Sequence, residues 1–403
     1  MSAVIGLGTE TENMNILHLL SNFRWTERAE PTLNLVVGQN KVPGVQATLV
    51  CGKNKPNAEL IDSIVYQAPR RGVNPLVLNL TKHFRLIPAV KDIRSLRRHS
   101  VQSPVDVMHC HMPNAILLGG ITARGLSPRP LVVATVYEPD GPEPTLRMRL
   151  SAGRVDGWIV MTDAAAEHLR TRYGVSPDAI RQIIPPVDLD RFSKAVNTDG
   201  KALFNLDRDE VVVGMVARYS EARKSEWVIE ALKLIADECP KLRLFFVGRG
   251  DLLTFVKKPA KRLGVSERIT LAGYCRYGRL VEAYAAMDAL VYPAPGTDKS
   301  ARAVREAMAA GLPVVAARTG ILPELVRDGE TGLLADPSPE GLAKAMRRIY
   351  HEEHERRAMG RTALETAQRE FSIDHQSAES LEFYRFLAKA RSLSAPKEVG
   401  SGK

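Results

Sequence analysis

Two carboxylates flank the start of one helix in DKSARAVREAMAAGLPVVA, residues 298–316. The helix pattern runs from about 301 to 310 and stops at Gly311, with Pro313 and an apolar run at 314–316 following at once. Ser300 is placed to be its N-cap. The first backbone N–H groups of a helix lack partners within it and carry the positive end of its dipole, so an anion such as phosphate suits them. Ala301 and Ala303 keep that turn slim enough for close approach. Glu306, one to two turns in, does not suit a phosphate; its carboxylate suits a vicinal diol such as a ribose, which offers two hydroxyl donors. Asp298, out in the loop, suits a second sugar. Acids near a helix N-terminus are also favourable on a plain surface. The rest of this helix is largely small or apolar, however, as in a packed helix with one polar residue directed into a cleft.

Such a helix needs a sheet edge to present it. In the second half of the chain, VVVGMVA (211–217), LRLFFVG (242–248), ITLAGY (269–274), ALVYP (289–293) and PVVAA (313–317) read as buried parallel strands. Helix-period stretches such as 225–238 and 252–264 separate them. The first half repeats the pattern less cleanly, with MNILHLL (14–20), VQATLVCG (45–52), VDVMHCH (105–111), LVVATVYE (131–138) and GWIVMTD (157–163) as strand candidates. Alternation of this kind implies an α/β chain of two Rossmann-like, doubly wound domains, in which ligands bind beyond the carboxyl ends of the strands. The loop 294–300 follows a strand and therefore emerges at that edge. The Pro-bearing link IIPPVDLDRF (183–192) places a boundary there, giving an acceptor-side domain over 14–190 and a second domain over 191–370. Residues 371–393 read as a long helix crossing back to the first domain, 1–13 as a disordered lead and 394–403 as a flexible tail.

Composition narrows the class. The chain has 403 residues, 44% hydrophobic and 25% charged, which suits two globular cores. No apolar stretch approaches the roughly 18 residues of a membrane span, and the N-terminus lacks a signal-peptide pattern. The four cysteines are scattered without metal spacing, as expected for free thiols in a reducing, cytoplasmic compartment. His109 and His111 flank Cys110, and an extended segment points both imidazoles one way and the thiol the other; no third or fourth metal ligand is visible from spacing. The formal charge of +10 suits nucleic acid, an anionic membrane or a phosphorylated small molecule. Aromatics make up only 6% and no nucleic-acid-binding signature occurs, so nucleic acid is set aside. The basic stretch TKHFRLIPAVKDIRSLRRH (81–99) suits either a solvated helix face or docking to an anionic membrane, with Pro88 expected to interrupt the helix.

Four ordered motifs carry a family resemblance. Asp298 to Glu306 followed by AMAAGLPVV (307–315), PELVRDGETGLLADP (323–337), ARYSEARKSEWVIEAL (217–232) and VGRGD (247–251) resemble the acid–x7–Glu, PE-x-V-x-DG-x-TGLL, GRL-x-x-x-KG and VG-x-G segments of the family 4 retaining glycosyltransferases. That resemblance implies the two-domain GT-B fold, with the domains facing a cleft, and a nucleoside-diphosphate sugar as co-substrate. It implies neither a metal nor a further cofactor. Its roles fall on Glu306 for the ribose, Asp298 for the transferred sugar, and Arg218 with a cation at 223 or 224 for the diphosphate. Ungapped alignment sets Arg223 at the family's Lys and Lys224 at its Gly; Lys224 is favoured for its flexible ammonium. Tyr274 stands where the family frames the nucleobase, and Gly250 where its glycine-rich turn meets the donor. DVMHCHMPN (106–114) resembles the family's DVVH-x-H, which makes His111 the imidazole set against the donor sugar.

Departures from the family pattern are equally plain. Asp298 is a methylene shorter than the commoner Glu, SNFRWTERAEP (21–31) replaces the Gly-Gly turn after the first strand, Ile321 replaces a Gly, and Tyr137 a His. DLD at 188–190 and GLG at 6–8 are read as decoys for metal and nucleotide motifs. The expected acceptor is a glycan or lipid-linked molecule of the cell envelope, met by peripheral contact with the inner face of a membrane. The alternatives are a catalytically silent relative that binds a sugar nucleotide or a partner, and a sugar-nucleotide epimerase or a phosphorylase.

Overall fold

The computed structural model describes residues 13–26, 28–54, 60–294 and 301–394. Residues 1–12 of the expected 1–13 lead, the GLG at 6–8, residues 395–403 of the expected 394–403 tail and both Asp298 and Ser300 lie outside the described residues. The chain divides into two units. The first comprises the described residues up to Val136, then Gly141–Ile183 and the chain from Gln376 onward; the second comprises Tyr137–Asp140 and Ile184–His375. The division thus falls at the start of the Pro-bearing link, upstream of residue 190.

The first unit holds β1 (Met14–Leu20), β2 (Val45–Gly52), β3 (Leu76–Leu78), β4 (Val107–Cys110), β5 (Leu131–Thr135), β6 (Gly157–Val160) and β7 (Ile180–Gln182) in the order β3-β2-β1-β4-β5-β6-β7, all parallel. The second holds β8 (Val211–Tyr219), β9 (Leu242–Gly250), β10 (Ile269–Gly273), β11 (Ala289–Tyr292), β12 (Val314–Ala317) and β13 (Gly332–Ala335) in the order β10-β9-β8-β11-β12-β13, again parallel. Near-continuous burial of β1, β4, β5, β11 and β12 explains their largely apolar text. β3, β7 and β13 escape the sequence reading because they are short and lie at sheet edges. In both sheets the strand order reverses beside the first strand, between β1 and β4 and between β8 and β11. Ligands of open α/β sheets bind at such switch points.

Two helices correct the sequence reading. Pro88 does not interrupt its helix, which runs from Leu86 to Gln102; the proline sits in the first turn, where its missing N–H would have had no partner. The helix after β11 begins at Arg302, not Ala301, and ends at Ala309. Its Arg305 is fully buried, with Nη1 donating to the carbonyls of Pro185 and Pro186 at 2.6 and 2.9 Å. A buried guanidinium is tolerable only with such acceptors, so Arg305 fastens the link to this helix. The DLD of the link is structural at its first residue, where the Asp188 carboxylate accepts from the Arg191 backbone N–H at 3.2 Å and caps the Leu189–Phe192 helix. The Ile373–Ser394 helix packs Phe383, Tyr384 and Leu387 into the first core. All four cysteines are free and buried. No described helix is long and apolar enough to cross a membrane.

Candidate active site

In the first unit the switch point is occupied by histidines. Period-two alternation puts His109 and His111 on one side of β4, with ring centroids 4.1 Å apart. A third imidazole, His18, comes from β1, where it pairs in register with His109. Sequence spacing had shown no third member, and only strand adjacency supplies it; ring nitrogens of all three lie within 4.8 Å of one another. The nitrogens are already engaged. His18 Nε2 meets Gln39 Oε1 at 2.7 Å, His18 Nδ1 meets His111 Nε2 at 2.9 Å, and His109 meets Thr135 Oγ1 and the Tyr384 hydroxyl, both at 2.7 Å. Since an amide oxygen only accepts, His18 carries its proton on Nε2 and accepts at Nδ1 from His111 Nε2–H. The cluster is a hydrogen-bond network of neutral rings, and any metal would displace bonds already made.

Burial sets the charge state. It holds the His18 imidazole at about 4, against an ordinary 6.5, with the bond to Gln39 opposing the shift. Burial, and then the neighbouring imidazoles, hold His109 and His111 well below the ordinary range. His111 is therefore a neutral hydrogen-bonding group, enclosed and not open to solvent, with 1% of its surface exposed.

In the second unit Glu306 also differs from expectation. It is not an open, cleft-facing acid, being 3% exposed. The Tyr284 hydroxyl donates to Oε2 at 2.8 Å and Arg302 Nε lies 3.4 Å from Oε1. Burial and the adjacent carboxylate push the Tyr284 phenol well above its ordinary range, so it stays a donor. These two partners differ in exposure. Arg302 is a partly exposed i,i+4 neighbour on a flexible stem, whereas Tyr284 is fully buried. Neither was singled out from sequence. Arg302 was legible as an i,i+4 partner, and Tyr284 was not.

Ala301 occupies the N-cap position of this helix in the left-handed region, at φ 45° and ψ 49°; the expected Ser300 cap falls outside the described residues. A residue with a Cβ pays about 1–2 kcal/mol there, and glycine does not. Ala301→Gly is expected to raise unfolding stability by about 1 kcal/mol, seen as a higher urea midpoint at unchanged slope; a lower midpoint would show that the left-handed backbone is not strained.

The cations sort themselves at the ends of β8 and β11. Arg223 is buried, with Nη1 donating to the Tyr292 hydroxyl at 2.6 Å and to the Ala294 carbonyl at 3.4 Å. It thus reaches across the switch point to the chain leaving β11. Lys224 sits in the left-handed region at φ 51°, the backbone that a glycine favours. Its ammonium lies 5.7 Å from the Trp227 ring. Arg218 is exposed at the end of β8. Gly250 has φ 131°, and a Cβ there would meet the Tyr219 carbonyl oxygen at 2.3 Å, so its visible task is close packing of β9 on β8. Tyr274 is exposed beyond β10, with the guanidiniums of Arg249 and Arg276 4.7 and 4.8 Å from its ring, an aromatic face set among cations. Asp298 and Ser300 lie outside the described residues.

The description "Glycosyltransferase Family 4" matches residues 32–191, and "Glycosyl transferases group 1" matches residues 199–366. The chain belongs to glycosyltransferase family 4. This family 4 chain is 31% identical over 246 residues to a D-inositol 3-phosphate glycosyltransferase from Thermobifida fusca, covering 58% of this chain and 56% of that protein. It is 34% identical over 212 residues to a protein of the same description from Mycobacterium sp. (strain KMS), covering 50% and 47%. The matches span about half the length of these curated relatives. Among solved structures, Anabaena HepE in complex with UDP superposes with a TM-score of 0.74 at 19% identity, over 92% of this chain and 100% of that one. That similarity is one of fold, and with the two parallel sheets it identifies two Rossmann-like domains of the GT-B type.

Proposed function

We propose that the chain is a retaining glycosyltransferase that moves a sugar from a nucleoside-diphosphate sugar to a glycan or lipid-linked acceptor of the cell envelope, at the cytoplasmic face of a membrane, without metal or cofactor. The observation that carries this reading is the reach of Arg223 from the end of β8 to Tyr292 and Ala294 at the end of β11. A cation held at the switch point there stands ready for a diphosphate. Glu306 lies on the helix that follows β11 and takes the ribose. Ribose hydroxyls replace Arg302 on Oε1, where each hydrogen bond to the carboxylate contributes about 1.5–3 kcal/mol. Tyr284 keeps the carboxylate in place during that exchange.

In the reaction the bond from the anomeric carbon to the β-phosphate oxygen breaks and negative charge builds on that phosphate. Arg223, Arg218 and the helix start at Ala301 oppose this charge more strongly in the transition state than in the ground state. The acceptor hydroxyl attacks the same face, and its proton passes to the departing phosphate oxygen. No side-chain nucleophile takes part. The family resemblance assigns neutral His111 to the transferred sugar and Asp298 to one of that sugar's hydroxyls. A silent donor-binding protein is the second reading, and the internal pairing of Glu306 and His111 favours it.

Titration calorimetry with UDP-, GDP- and ADP-sugars tests both readings. One donor is expected to bind, with Glu306→Gln weakening it roughly tenfold or more. Hydrolysis of the bound donor separates the enzyme from the silent binder. If no donor bound, or if the substitution left affinity unchanged, Glu306 would not be the ribose ligand.

A further inference from the structure

We propose that the first unit carries a docking surface for an anionic lipid bilayer, formed by the starts of two helices, Leu86–Gln102 and Leu146–Ala152. Leu86 and Ile87 are 68% and 72% exposed, and Leu146 and Leu150 are 75% and 56% exposed. Single exposed aliphatics are ordinary on a soluble surface; neighbouring ones from two elements mark a contact site. The two helix starts are neighbours, because the Arg147 guanidinium lies 4.9 Å from the ring of Phe84, just ahead of Leu86.

Charge names the occupant. Along the longer helix Ala89, Asp92, Leu96 and Ser100 face inward, while Ile87, Val90, Lys91, Arg94 and Arg98 are exposed. The helix has a single acid, Asp92, which is buried and accepts from the Asn79 backbone N–H at 2.9 Å. The outward face is therefore aliphatic at its start and basic through Lys91, Arg94 and Arg98, with Val101 and Gln102 exposed at its far end. Exposed Arg147 and Arg149 continue that sign on the second helix, with Glu143 ahead of it as an exposed acid. Aliphatic tips that enter the acyl boundary, with cations at phosphate depth, suit an anionic bilayer. A protein partner would need an acidic groove shaped to both helices, whereas a bilayer needs only this order of aliphatic and basic groups.

The surface also adjoins the first switch point. Asn114, in the first turn of the Pro113–Ala123 helix after His111, donates to the Thr81 carbonyl at 2.7 Å, tying the segment before Leu86 to the carboxyl end of β4. A bilayer met here would present a lipid-linked acceptor near His111. That last step rests on the proposed function; the docking surface does not.

Co-sedimentation of the full chain tests the surface, using vesicles of phosphatidylcholine alone and vesicles of equal parts phosphatidylcholine and phosphatidylglycerol. Binding is expected only to the second, and to weaken with salt. Leu86→Glu with Ile87→Glu should lower the partition at least about tenfold, and Lys91→Glu with Arg94→Glu roughly fivefold or more for each charge. Donor hydrolysis in solution should be the same in all of these variants. Equal binding to both vesicles, wild-type partition in both variants, or no binding by the parent chain would overturn the proposal. So would a dimer that the aliphatic substitutions dissociate, since the face would then be an interface between copies. If no sugar nucleotide is hydrolysed while vesicle binding follows the expected pattern, the enzymatic reading fails and the surface stands.

Discussion

Replacing Arg223 by Ala is expected to lower turnover of the donor about a hundredfold or more, with a much smaller loss of donor affinity. The reasoning begins with position. Arg223 reaches the end of β11 through Tyr292 and Ala294, so its charge is held at the switch point and costs little to reorganise when the leaving diphosphate becomes more negative. A charge so held acts mainly on the transition state, and its removal lowers the rate constant more than it raises the donor dissociation constant. Arg223→Lys should recover part of the rate, since the charge survives and the planar fork does not. Lys224→Gly is the control that separates the two neighbours. It removes a cation while suiting a backbone at φ 51°, and turnover should change little. The assignment fails if Lys224→Gly is the costly change and Arg223→Ala is silent in single-turnover assays with radiolabelled donor.

Acid should unfold the first unit before it protonates most of the surface carboxylates. His18 is neutral and buried, with its pKa lowered from 6.5 to about 4. A group whose folded pKa lies below its unfolded value contributes stability that is complete above the unfolded pKa. That stability is lost as pH falls, because the unfolded chain then binds the proton more readily. The window for His18 thus runs from about 6.5 down to about 4, and the loss across it is about 3 kcal/mol. His109 and His111 shift in the same direction from burial, so the slope in this window should be steeper than one histidine allows. The thermal midpoint, measured at half-unit steps of pH, should fall continuously below 6.5, and His18→Gln should flatten that fall. A flat midpoint from pH 6.5 to 5 would mean that the three rings are charged or solvated in the native protein.

The sequence itself carried the strand and helix alternation, the parallel character of both sheets and the positions of Arg218, Arg223, Glu306 and His111, because periodicity and motif spacing are properties of neighbouring residues. The shared side of His109 and His111 was legible for the same reason, and so was the packed character of the 302–309 helix. Tertiary structure decided what those residues touch. His18 joins the imidazoles only because β1 lies beside β4. Tyr384 reaches them from the far end of the chain, Tyr284 closes over Glu306 from another helix, and Arg305 is buried because Pro185 and Pro186 offer it carbonyls. Hydrogen-bond satisfaction and desolvation depend on groups brought together from distant parts of the chain, and local pattern holds no record of them. That is why the family motifs could be located on particular residues in advance, while the closed, internally paired condition of Glu306 and the histidines emerged only from the fold.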